Sequence, residues 1–245
     1  MPIIDSHVVL EGSVIPGKFH SAPDLCALLT QRGIDVAVVR SARAGMVDPI
    51  AGNRILKSVL DMNPTLLGCV TAHLGRPKAS LEAIKEHLGS RRFVASMLVG
   101  SYPLEPLNPL IADEILNGCR RYQKPILIYC PNAACVAAGL ALARAYTMHR
   151  FVLVGMGGQD WHTAVAAAHQ VSNIYLEISG ALDVRKVPTA IEDLGSHRMI
   201  FGSGLPVCDP MAILGLLDDS SVRPNDRRRI LFDNPQKLYG LEATE

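Results

Sequence analysis

Eight short runs rich in apolar and β-branched residues recur along this chain, and they limit its folds more than any other feature. Several runs are apolar throughout instead of alternating with polar residues, which is typical of strands that are buried on both faces. We predict one strand at each run, at residues 3–5, 35–39, 66–71, 93–99, 125–129, 151–154, 174–178 and 199–201.

Helical patterns separate these strands. Ser21 and Asp24 give the first helix an N-cap and an early acid, and Gly33 follows its end. The later helices are predicted at residues 49–63, 80–88, 109–122, 133–146, 160–171, 184–194 and 210–217. Successive strands begin roughly 23 to 32 residues apart, which leaves room for one crossover helix each.

Eight strand–helix units in series favour a (β/α)8 barrel (TIM barrel), an α/β fold in one domain over residues 1–245. A doubly wound open sheet is the main alternative, because it is also built from alternating strands and helices. The composition suits either fold, since 49% of the residues are hydrophobic and only 5% are aromatic.

The charge and the cysteine content limit the binding partners and the cellular compartment that we expect for this chain. The formal net charge of +1 gives no reason to expect a nucleic acid or a membrane as partner. The 6 cysteines are scattered without a Cys-x-x-Cys pair, which indicates reduced thiols, and the start of the chain lacks a basic signal-peptide region. We therefore expect a cytoplasmic protein, and we expect a homodimer because exposed barrel helices often pair.

A barrel carries its functional residues where the strands end and the following loops begin. Catalytic chemistry there is predicted for His7, His73 and Cys130, and substrate binding for four other side chains. Those four are Arg40, Tyr129, Glu177 and Ser203.

The order of short motifs resembles one family. Ile4-Asp5-Ser6-His7 resembles the opening of an Asp-x-His-x-His barrel hydrolase, and Asn53 followed by Pro64-Thr65-Leu66-Leu67-Gly68 resembles a later passage. The stretches around residues 124–128, 157–161, 173–180, 201–203 and 234–241 continue the series. The chain is identified by these motifs as similar to the amidohydrolase-related (amidohydrolase 2) family of metal-dependent barrel hydrolases and decarboxylases.

The resemblance implies a divalent metal held by four histidines and one aspartate, but this chain departs from that set. His7 matches the first ligand. The other ligand positions are occupied by Val9, Cys130, Gly155 (or Met156 after a one-residue shift) and Gly204. We therefore expect no cofactor and a degenerate metal site. A rewired site, with His7 and Cys130 joined by His73 or Cys208, stays open.

Cys130 has two interpretations. A cysteine beside His7 or His73 can form a reactive thiolate pair. It can also fill the space of a lost histidine as a small buried apolar group.

Two functions remain open at this stage. One is an enzyme acting on a small organic acid, ester or lactone without the usual metal. The resemblance extends to pyrone dicarboxylate lactonases, which act without a metal but use the strand-eight aspartate that Gly204 replaces. The other is a catalytically inert protein that binds a small molecule, or regulates, at the C-terminal face of the barrel.

Overall fold

A computed structural model of the chain describes residues 1–11, 21–102, 105–180 and 182–241. Its central feature is one parallel sheet in which eight strands follow each other in sequence order. The strands are β1 Ile4–Leu10, β2 Val36–Ser41, β3 Leu66–His73, β4 Phe93–Val99, β5 Ile126–Tyr129, β6 Phe151–Val154, β7 Ile174–Glu177 and β8 Met199–Ile200.

The sheet curves until its two edges meet. The amide of Ser6 donates to the carbonyl oxygen of Phe201 at 3.0 Å, and that of Val9 donates to Leu205 at 2.8 Å. These bonds link β1 to the chain just after β8, as a closed barrel requires. The (β/α)8 barrel is confirmed, and the doubly wound sheet is wrong because it would have a reversal of strand order and two free edges.

Helices surround the barrel in the order expected for alternating units. They are α1 Ala22–Gln31, α2 Ala42–Met46, α3 Pro49–Met62, α4 Pro77–His87, α5 Asp113–Cys119, α6 Ala133–Ala145, α7 Trp161–Gln170, α8 Lys186–Leu194, α9 Pro210–Asp218, α10 Pro224–Arg228 and α11 Asn234–Tyr239. The helical patterns missed α2 and gave no range for α10, whereas α11 lies in the motif stretch at residues 234–241. Among the described helices none is long and apolar enough to span a membrane.

Two apolar layers hold the strands in place. Along β5, Ile126 and Ile128 pack in the cluster that includes helix residues, whereas Leu127 packs with residues such as Val152 and Ile200. Since side chains alternate between the two faces of a strand, the second cluster fills the inside of the barrel. This alternation decides which strand-end side chains reach the barrel mouth.

Candidate active site

The strand ends bring four side chains of predicted site residues near one another. His7 lies on β1, Arg40 on β2, Tyr129 at the end of β5 and Glu177 at the end of β7. These are C-terminal parts of parallel strands, the end of a barrel that carries active sites.

Glu177 is the best-anchored member of this group. Its Oε2 accepts hydrogen bonds from the Gly155 amide at 2.9 Å and from the Ser179 hydroxyl at 2.8 Å. Its Oε1 accepts from the Ser179 amide at 2.7 Å. The carboxyl is completely buried, and burial raises its pKa from 4.5 to about 7 although these hydrogen bonds act in the opposite direction. A carboxyl with a pKa near neutrality suits general acid–base catalysis.

His7 lies beside Glu177. Its Nδ1 is 3.8 Å from Glu177 Oε2, too far for a hydrogen bond, and neither ring nitrogen has a hydrogen-bond partner within the described part of the chain. Burial, together with the charge of Arg40, lowers the pKa of His7 from 6.5 to about 3. The imidazole is therefore neutral at pH 7, with both nitrogens available to a ligand or to water.

Arg40 supplies a cation without a carboxylate partner. Its Nε is buried without a hydrogen bond, and no ion pair joins Arg40 to a carboxylate among the described residues. Burial lowers the pKa of this guanidinium from 12.5. Because burying an unpaired cation is costly, the arrangement favours an anionic ligand at this position.

Tyr129 forms part of the same surface. Its ring centroid lies 6.4 Å from that of His7, and 37% of the residue is exposed. Burial of its hydroxyl, followed by the nearby Glu177 charge, raises the pKa of Tyr129 from 10.0. The phenol is protonated at pH 7 and is available as a hydrogen-bond donor.

Asp5 was missed as a site residue. Its Oδ1 accepts hydrogen bonds from the amides of His7 at 3.1 Å and Ser203 at 2.9 Å. Burial raises the pKa of Asp5 from 3.8 to about 6. An acid inside the first apolar run was the sequence signal for it. The Ser203 hydroxyl accepts from the Leu205 amide at 3.0 Å, and a side-chain hydrogen bond from Ser203 also acts to lower the pKa of Asp5.

Cys130 lies on the other face of β5. Its thiol contacts the carbonyl oxygen of Cys135 at 3.5 Å, and the side chain belongs to the cluster that packs against the helices. Burial raises its pKa well above 9.0, which disfavours the reactive thiolate. The structure brings Tyr129, not Cys130, near His7, and this geometry favours the small buried apolar interpretation.

His73 is the last residue of β3, and its ring bonds to a residue of the following loop. Its Nδ1 accepts a hydrogen bond from the Gly75 amide at 3.0 Å, and burial lowers its pKa from 6.5. No contact joins His73 to His7 or Glu177 among the described residues. Its catalytic role stays a prediction.

The donor groups do not reproduce the metal centre that the motifs imply. Over the described ranges, no three His, Cys, Asp or Glu side chains converge as metal ligands. The three hydrogen bonds to Glu177 already engage both of its oxygens. The residues present therefore do not fit the five-ligand site.

A sequence comparison now decides the family. The profile of the amidohydrolase family matches residues 16–241, nearly the whole chain. The chain belongs to the amidohydrolase family. This confirms the resemblance drawn from the motifs. A comparison with curated proteins finds no match.

Solved structures resemble this amidohydrolase-family barrel along its full length. They include 2,6-dihydroxybenzoate decarboxylase from Rhizobium (TM-score 0.80, 14% identity, 99% of this chain and 100% of that chain). The dihydroxybenzoic acid decarboxylase from Polaromonas sp. JS666, with bound manganese and an inhibitor, gives a TM-score of 0.81 at 14% identity over 99% and 98%. The 5-carboxyvanillate decarboxylase from Sphingomonas paucimobilis gives 0.76 at 10% identity over 98% and 99%. At these identities the likeness shows the shared fold.

Proposed function

We propose that this chain is an enzyme that hydrolyses an ester or lactone bond in a small organic acid, at the C-terminal face of its barrel and without the family's metal. The observation that carries the proposal is the pairing of a neutral His7 with the buried Glu177 beside the unpaired cation of Arg40. The similar solved structures include decarboxylases of aromatic carboxylic acids, which supports the same broad substrate class.

Arg40 holds the substrate in this proposal. A guanidinium binds a carboxylate through charge-assisted hydrogen bonds, and a bound carboxylate would give the buried Nε the partner it lacks. Tyr129 lies on the exposed side of His7 and can donate its hydroxyl to the same ligand.

His7 acts as the general base. A substrate carboxylate on Arg40 offsets the charge of Arg40, which is one of the two causes that lower the pKa of His7. His7 takes a proton from water as the water oxygen bonds to the acyl carbon, and it returns that proton to the leaving oxygen when the acyl–oxygen bond breaks. The Glu177 carboxyl, 3.8 Å from Nδ1, stabilises the imidazolium that forms in between. His7 thus ends the reaction in the neutral form in which it began, with Glu177 as its partner throughout.

Turnover of a panel of small esters and lactones, each with and without a free carboxylate, tests this function. We expect the wild type to prefer the carboxylate-bearing members, and His7→Ala to lose about 10²–10⁴-fold in kcat. Arg40→Met should lose about 10–100-fold in kcat/KM for the carboxylate-bearing substrates only. His169→Ala, an exposed histidine on α7, is the matched control and should retain full activity.

The remaining candidates are tested in the same assay. The geometry predicts that Cys130→Ala retains turnover, because its thiol faces the helices. If His7→Ala, His73→Ala and Cys130→Ala all retain turnover, the proposed enzyme is wrong. Binding of the acids without any turnover would instead favour the inert binding protein, and release of carbon dioxide would replace hydrolysis with decarboxylation.

A further inference from the structure

The Glu177 carboxyl lies among the strand ends at which the family resemblance places metal ligands. Its Oε2 is 3.8 Å from Nδ1 of His7, the retained ligand position, and 2.9 Å from the amide of Gly155, a lost one. The carboxyl therefore lies beside the retained ligand position and accepts a hydrogen bond from the backbone of a lost one.

The backbone at two lost ligand positions has a shape that favours glycine. Gly155 has φ +82° and Gly204 has φ +74°, both in the left-handed region that other residues rarely adopt. A histidine at 155 or an aspartate at 204 would be strained. The loss of ligands is thus built into the chain's path, and the Gly155 amide has gained another use as a donor to Glu177.

The space around Glu177 depends on a further glycine. A Cβ at Gly202 would lie 2.2 Å from Glu177 Oε1 and 2.7 Å from its carboxyl carbon. Any larger residue there would push the carboxyl out of its position. Gly155, Ser179 and Gly202 together form what we call the carboxyl cradle.

The hydrogen bonds in the cradle match a carboxylate. Two backbone amides and one hydroxyl point at the two oxygens, all within 2.9 Å. Backbone amides can only donate, so they cannot ligate a cation. A metal in this space would face two amides that cannot ligate it, and the three donors leave it about one acceptor site on Glu177.

We propose that the Glu177 carboxyl takes the place of the family's metal, held by the carboxyl cradle, and serves as the partner of His7 in the metal's stead. The part of this inference that concerns turnover rests on the proposed function. The position of the Glu177 carboxyl in the carboxyl cradle does not depend on the proposed function. It can be measured without a substrate.

Rescue by a small carboxylate tests the cradle. Glu177→Ala leaves its donors without an acceptor, so the melting temperature Tm should fall. Formate should raise the Tm of this variant by about 2–4 °C more than chloride at equal ionic strength. The wild type should show no such gain, and Glu177→Ala combined with Ser179→Ala should show a smaller one. Equal Tm values in formate and chloride for Glu177→Ala would overturn the proposal.

A manganese titration of the wild-type chain, followed by electron paramagnetic resonance, gives a second test that does not depend on the folding of Glu177→Ala. We expect all of the manganese to remain free. Stoichiometric binding that His7→Ala abolishes would overturn the proposal. Because neither readout uses turnover, an inactive panel of esters would refute the proposed function and leave this inference standing.

Discussion

At the scale of single residues, burial moves the pKa values of Glu177 and His7 in opposite directions. The pKa of Glu177 rises to about 7 and that of His7 falls to about 3, so both groups resist charging. Water exclusion is the shared cause, since it disfavours the charged form of either group. Only the folded structure supplies this burial, so no sequence pattern could reveal these pKa values.

The first prediction concerns stability against pH. In the folded chain Glu177 keeps a proton that the unfolded chain loses above about pH 4.5. Its contribution to the free energy of unfolding is present below that pH and is lost as pH rises through about 7. Relative to Glu177→Gln, which does not titrate, the wild type should therefore lose stability from about pH 4.5 to about pH 7, as measured by urea denaturation.

His7→Gln is the mirror-image control. The pKa of His7 is lowered from 6.5 to about 3, so its contribution is present above pH 6.5 and is lost as pH falls toward 3. The wild type should gain stability relative to His7→Gln as pH rises through that window. Two difference curves with the same slope would contradict the assignment.

Arg40, Tyr129 and Glu177 were predicted as site residues because each ends or nearly ends a predicted strand. The structure places them near His7, and their roles stay predictions. Cys130 and Tyr129 are neighbours, and side chains alternate faces, so a shift of one residue exchanges the inward and outward positions. Ser179 was missed because its role depends on a turn that no motif specifies.

At the scale of elements, Asn53 shows what the family motif does in this chain. Its side-chain amide on α3 donates to the carbonyl oxygen of Thr71 at 2.9 Å, and its oxygen accepts from the Thr71 amide at 3.0 Å. A helix side chain thereby satisfies backbone groups of β3, next to the barrel mouth. The motif resemblance pointed to this residue, but only the structure shows that its hydrogen bonds form a tie between α3 and β3.

The second prediction follows from this tie. Asn53→Ala would leave two buried backbone groups of Thr71 without partners, and it should lower the free energy of unfolding by about 2–4 kcal/mol. Asn117→Ala, an exposed asparagine on α5, is the matched control and should change stability by less than about 0.5 kcal/mol. Urea denaturation measures both, and equal effects would contradict the tie.

Strands were predicted well where the apolar run in the sequence is uninterrupted. The predicted strand at residues 93–99 is confirmed as β4, whereas β1 continues to Leu10 beyond its predicted end at Asp5. The polar residues Asp5, Ser6 and His7 broke the apolar run although all three are buried in the strand. Buried polar residues inside a strand therefore make a search for apolar runs end the strand too early.

At the scale of the whole molecule, the regular series of units was enough to predict the barrel. Its closure depends on pairing between the first strand and the last, which no local pattern records. The fold then gathers His7, Arg40, Tyr129 and Glu177 from four strands far apart in sequence. The barrel therefore follows from local signals, whereas the site follows from its closure.

The central claim is that this amidohydrolase-family barrel uses a carboxyl–imidazole pair where its relatives' motifs imply a metal. Elemental analysis of the wild-type chain, purified without a chelator and compared with His7→Ala, tests it most directly. We expect zinc and manganese to be both far below stoichiometric in the two proteins. Stoichiometric zinc or manganese in the wild type, lost in His7→Ala, would contradict it.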